Sequence, residues 1–174
     1  QNQNIVVAQL VTTQIEADDL VRMVAASFGL AHEGIPKSTL LRNLESYFKS
    51  QVREGNRVLL LVDEVQNLPV RSIEELRMLS NFEMDGKALL QSFLLGQEEF
   101  RSTLNSDGLE QLRQRVIAAY HLGPLDESET REYIEHRLTL AGWKHNPKIN
   151  DQAFAEIYNF TDGVPRRVNT FCDR

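Results

Sequence analysis

Apolar positions in this chain recur in two ways, as short unbroken runs and as stripes at helical spacing. Residues 5–11, IVVAQLV, form a β-branched run that predicts a strand. Further runs at 57–62, 89–95 (LLQSFLL) and 116–122 (VIAAYHL) predict three more. The runs at 57–62 and 89–95 lack alternation, as expected of strands covered on both faces. Between the runs the period changes. Leu20, Val24 and Phe28 lie four apart and predict a helix over 16–28, closed by Gly29. A second helix is expected over 38–53, with Leu40, Leu44 and Phe48 on one stripe and its start marked by Pro36 and Ser38. Others are expected over 71–82, 98–104 and 108–114. Strands that alternate with helices in this way lie parallel.

The pattern changes after Pro124. Asp126 and Glu129 have the spacing of a capping box, and the helix they open should run to about Ala141, before Gly142. Further helices are expected from about Asn150 and after Gly163. The chain therefore reads as an α/β part over 1–124 and an all-helical part over 125–174, without internal repeats.

Composition narrows the functions available. The 174 residues are 41% apolar and 25% charged, ordinary for a soluble globular protein. A net charge of −6 gives no overall electrostatic footprint for nucleic acid. The single cysteine, Cys172, excludes an internal disulfide and a cysteine-based metal site, and fits a reducing, cytoplasmic setting. No run is long enough to predict a membrane span.

The chemistry concentrates in VLLLVDEVQNL, residues 58–68, where a buried run ends in Asp63 and Glu64. In open α/β sheets ligands bind beyond the carboxyl ends of the strands. Two adjacent acids there suit two tasks. Asp63 can hold Mg²⁺ through water, because that ion keeps much of its hydration shell. Glu64, directed elsewhere, can polarise a water for attack on phosphorus. Apolar strand followed by Asp-Glu is the pattern of a Walker B motif; the plainer alternative is a strand that meets solvent.

The companion phosphate loop, G-x-x-x-x-G-K-[ST], does not occur in the chain. The nearest string, HEGIPKSTLL (32–41), offers Lys37-Ser38 but has Pro36 in place of the second glycine, which removes a needed N–H donor. Gln97, at the end of the run 89–95, could orient a water or serve only as a loop cap. Arg113 and Arg115 close the helix before 116–122, where cations complement the helix dipole or reach a neighbouring subunit as an arginine finger. Arg166 and Arg167 open the last helix, where cations oppose the dipole and an anionic partner would explain them. His32, His121, His136 and His145 show no ligand spacing.

The ordered set VLLLVDEVQNL, LRMLSNFE, LLQSFLLGQEEF, LRQRVIAAYHLGPL, YIEHRLTLAGW and GVPRRVNTFCDR resembles the AAA+ ATPases of the general secretion pathway protein A group. Within that group it is most similar to the secretion ATPases associated with exosortase (PEP-CTERM) and exopolysaccharide loci. The resemblance implies a parallel-sheet P-loop NTPase core with a helical lid beginning near 126, and ATP and Mg²⁺ as ligands. It implies Asp63 as the metal carboxylate, Glu64 as the base, Gln97 at the sensor-1 position, Arg115 as the arginine finger with Arg113 as the fallback, and Arg166 as sensor 2. It further implies self-assembly, secretion or polysaccharide-assembly partners, and a cytoplasmic location, peripheral at the inner membrane. GQEEF departs from the group's G-Q-P-E-L at Glu98. The group carries its phosphate loop upstream of the strand at 5–11, so the chain is expected to be a fragment that binds Mg-ATP weakly or not at all. Two other functions compete: a AAA+ regulator of DNA transposition or DNA handling, which calls for a basic surface, and a scaffold that no longer hydrolyses ATP, against which Glu64 argues.

Overall fold

A computed structural model describes residues 4–11, 16–105 and 109–173. The chain separates into two compact units, Gln1–Ile117 and Ala118–Arg174.

The first unit is built on a parallel sheet of three strands, β1 (Ile5–Val11), β2 (Arg57–Asp63) and β5 (Leu90–Leu94), in the order β1-β2-β5. The register runs from Ile5 opposite Arg57 to Val11 opposite Asp63, and from Val58 opposite Leu90 to Val62 opposite Leu94. Alternate residues of the central strand, Val58, Leu60 and Val62, are fully buried. They share one core with Ala8 and Leu10 of β1 and with the apolar stripes of three helices. These are α1 (Ala17–Ser27), α2 (Lys37–Arg53) and α3 (Val70–Leu79). Leu20 and Val24 face inward from α1, Leu40, Leu44 and Phe48 from α2, and Ile73, Leu76 and Leu79 from α3, as their spacing predicts. Phe48 anchors an aromatic cluster, edge-on to Phe28 at 5.1 Å and tilted against Phe82 at 6.3 Å. Each such side chain contributes about 1.5–3 kcal/mol of burial.

Two features differ from the sequence reading. The run 116–122, expected as a fourth parallel strand, takes no regular structure, and Ile117, Tyr120 and Leu122 are almost fully exposed. A strand exists only where a neighbour accepts its ladder of hydrogen bonds, and no described strand pairs with this run. The run at 89–95 does form β5, but as an outer strand. Gln91, Ser92 and Phe93 are exposed, so it is not covered on both faces. A small antiparallel hairpin, β3 (Glu83–Met84) and β4 (Lys87–Ala88), precedes it. Its tip is Asp85-Gly86, both at positive φ, the backbone that a two-residue turn requires. After β5 come α4 (Glu99–Leu104) and α5 (Glu110–Arg113); Gly108, the first residue of the helix expected over 108–114, lies outside the described residues.

The second unit consists of α6 (Glu127–Leu140), α7 (Asp151–Thr161) and α8 (Pro165–Cys172). The expected capping box is formed. The Glu129 N–H donates to Asp126 Oδ1 at 2.8 Å, and Asp126 N–H donates to Glu129 Oε2 at 2.9 Å. The core is small: Ile134, Phe154 and Val168, flanked by Tyr133, Leu138, Ile149 and Ile157. Gly163 sits at φ +67°, and its carbonyl accepts from the Leu125 N–H at 3.0 Å.

Candidate functional site

The carboxyl end of β2 delivers Asp63 and Glu64 to the rim of the sheet. Asp63 is the last strand residue, and its Oδ1 accepts the Glu64 N–H at 2.9 Å, which fixes the carboxylate. At Glu64 the backbone turns into the left-handed region, φ 54° and ψ 40°. A non-glycine residue holds that conformation at a cost of roughly 1–2 kcal/mol. The left-handed turn ends the strand at Asp63 and starts the loop at Glu64. A single 3₁₀ turn, Val65–Asn67, follows, with Val65 fully buried.

The end of β5 is tied to this turn by backbone bonds. Leu95 N–H donates to the Val62 carbonyl at 2.8 Å, and Val65 N–H donates to the Leu95 carbonyl at 3.0 Å. Gly96 passes so close that a Cβ there would lie 2.7 Å from Val65 Cγ1 and 3.0 Å from Gln66 Oε1. This close approach demands glycine and places Gln97 beside Glu64. Gln97 Nε2 donates to Glu64 Oε2 at 3.4 Å. Gln66, which the sequence reading did not single out, completes the cluster. Its Nε2 donates to the same Glu64 Oε2 at 2.5 Å, and its Oε1 accepts the Gln97 N–H at 3.1 Å. Its signal in the sequence was a polar amide two residues after the acid pair, at the point where an apolar run turns away from the sheet.

Asp63, Glu64 and Gln97 thus meet at one rim. The arginines engage other groups. Arg113 forms an ion pair with Glu110 in its own helix at 3.7 Å. Arg115 Nη1 donates to the carbonyl of Ser80, which caps α3, at 3.4 Å. Arg166 lies in the second unit, in the first turn of α8, where it lines a surface cavity with Phe160, Arg167, Thr170 and Phe171. Arg167 pairs with Asp162 at 2.7 Å. Lys37, the lysine of the string 32–41, is held at the start of α2 by Glu75 at 2.7 Å and Asp18 at 3.8 Å.

Among the described residues no group of three or more His, Cys, Asp or Glu could hold a metal ion. No helix among the described residues is long and apolar enough to cross a membrane.

Comparison with known proteins gives consistent matches. A family model described as "AAA domain" matches residues 1–104. General secretion pathway protein A of Aeromonas hydrophila is 34% identical over 169 residues, covering 97% of this chain and 31% of that protein. The chain therefore spans about a third of the length of this relative. Among solved structures, the Aeropyrum pernix ORC2 protein in its ADP form matches with a TM-score of 0.67 over 92% of this chain and 43% of that one, at 14% identity. The ADPNP–ADP complexes of the same protein match with a TM-score of 0.54 over 80% and 37%, at 16% identity. At such identities the likeness is one of fold.

Proposed function

Because the chain belongs to the AAA domain family and has the parallel-sheet α/β fold of AAA+ P-loop NTPases, we propose that it is part of an ATPase of the general secretion pathway protein A type. In this reading residues 1–124 form the nucleotide-binding core and residues 125–174 a helical lid. The observation that carries the proposal is the grip on Glu64: a carboxylate turned out of the strand beside Asp63, with the Gln97 amide on its Oε2.

Each side chain then has a task. Asp63, its carboxylate fixed by the Glu64 N–H, holds Mg²⁺ through water. When bound, that ion neutralises charge on the phosphates of ATP. Glu64 takes the proton of the attacking water. Gln97 orients that water from the sensor-1 position. Arg115 acts as the arginine finger toward a neighbouring copy, with Arg113 as the alternative, and Arg166 contacts nucleotide as sensor 2. The lysine and backbone cradle of a phosphate loop are not supplied by residues 1–174, and the full-length protein is proposed to provide them. The work done is envelope export or exopolysaccharide assembly, in a self-assembled oligomer with secretion proteins as partners, on the cytoplasmic side of the inner membrane. The 34% identity to General secretion pathway protein A supports the secretion part of this reading, and the sequence resemblance supports the exosortase-linked part.

The test is Glu64→Gln in the full-length protein. Loss of the base should lower kcat for ATP by about 10²–10⁴-fold while Mg-ATP still binds with wild-type affinity in calorimetry. Unchanged turnover would refute the assignment of the base.

A further inference from the structure

The Gln66 side chain occupies a place that the roles above do not use. It lies in the 3₁₀ turn after Glu64, half-buried, and bridges two groups that belong to different strands' ends. Its Nε2 donates to Glu64 Oε2 and its Oε1 accepts from Gln97 N–H at 3.1 Å. The orientation of the amide is fixed by chemistry. Only the NH₂ end can face a carboxylate, and only the carbonyl end can face a backbone N–H. A Cβ at Gly96 would lie 3.0 Å from the same oxygen, so glycine there leaves the amide its room. Two amides, from Gln66 and Gln97, converge on a single oxygen of Glu64.

We infer that Gln66 is a positioning residue for hydrolysis, which fixes the Glu64 carboxylate and ties it to the loop that carries Gln97. The inference rests on the reading of Glu64 as the base. Donation to Oε2 by two amides restrains the rotation of the carboxyl group. The second bond makes the placement of the base and of Gln97 interdependent: a shift of the Gln97 loop pulls the Gln66 carbonyl, and through it the carboxylate. No other amino acid of this length presents a donor at one corner and an acceptor at the other. Glutamate would set a second carboxylate against Glu64, and methionine would offer neither function.

The experiment combines kinetics with a spectroscopic measurement that needs no nucleotide. In the full-length protein, Gln66→Met and Gln66→Glu are each compared with wild type and with Glu64→Gln. A mispositioned base should lower kcat by about 10–100-fold, the range seen when outer partners of a functional group are removed, with KM for Mg-ATP within about twofold. In a Glu64→Gln background Gln66→Met should lower the residual rate no further, because it acts through that carboxylate. In the 174-residue chain with ¹⁵N-labelled glutamine, Gln66→Met should shift the Gln97 backbone amide upfield, as its acceptor is lost. Wild-type kcat in both variants, additive losses in the Glu64→Gln background, or an unmoved Gln97 amide would each overturn the inference while leaving the base intact. Full turnover in Glu64→Gln alone would instead remove the base reading, and this inference with it.

Discussion

Gly163 is where the second unit is most exposed to a single methyl group. Alanine there would put its Cβ 1.9 Å from the Leu125 carbonyl oxygen, 2.9 Å from its carbon and 3.2 Å from Tyr158 Cε2. The first two are backbone atoms and cannot rotate away. The Leu125 N–H donates to the Gly163 carbonyl at 3.0 Å, so moving the two strands of chain apart also breaks that bond. Three terms combine. Left-handed backbone costs an L-residue roughly 1–2 kcal/mol. Overpacking costs about 1–3 kcal/mol, and a lost hydrogen bond about 0.5–1.5 kcal/mol. Together they reach about 3–6 kcal/mol. A unit of the size of Ala118–Arg174 has roughly 3–9 kcal/mol of stability in all, so Gly163→Ala should remove most of it. The chain has one tryptophan, Trp143, which lies in this unit with its Nε1 donating to the Pro147 carbonyl at 2.9 Å. Its fluorescence in a urea titration reports the unit directly. The midpoint should fall by at least about 2 M, given a denaturant slope near 1 kcal/mol/M for a small unit. Gly142→Ala is the control: also left-handed, φ +90°, but with nothing within 4 Å of the added carbon. It should lose only the backbone term, about 1–2 kcal/mol. Equal shifts for the two variants would refute the steric argument.

Three other expectations are open to direct measurement. Gly96→Ala presses on the stiff, fully buried Val65 side chain and should destabilise the first unit by about 1–3 kcal/mol; a far-UV circular dichroism melt in urea that matches wild type within about 0.5 kcal/mol contradicts it. Asp126→Ala deletes one half of the capping box on α6 and should cost about 1 kcal/mol by Trp143 fluorescence, with Asp126→Asn largely restoring it. Phe48→Ala empties the middle of the aromatic cluster, and a loss of about 3–5 kcal/mol is expected from thermal or urea unfolding.

What could be read from the sequence was whatever local chemistry decides. The helices α1, α2 and α3 follow from apolar spacing because one face of each meets the core. The capping box at Asp126 and Glu129 involves four residues and needs nothing remote. Asp63 and Glu64 were legible as a pair because an apolar run has to end somewhere polar, and it ends there. The run 116–122 failed for the opposite reason. Its propensity is that of a strand, but strand formation depends on a partner far away in sequence, and Ile117, Tyr120 and Leu122 stand in solvent. The same non-local dependence hid the outer position of β5, whose exposed Phe93 looks like a core residue in a string of letters. The hairpin around Asp85-Gly86 was not anticipated, because its strands of only two residues each are too short to carry a pattern. Gln66 escaped notice because its role is defined by Glu64 and Gln97 together, and Gln97 lies 31 positions away.

The left-handed backbone at Glu64 sets two selective pressures against each other at one codon. Glycine or asparagine would occupy φ 54° more comfortably than glutamate does. A library screened for thermal resistance alone should therefore accumulate replacements at this position, and each would discard a carboxylate that the proposed chemistry requires. Positions where the locally preferred residue and the retained one disagree are usually where function outweighs robustness. Under the proposed chemistry Glu64 is such a position, and directed evolution of this chain toward heat tolerance would first have to exempt it from change.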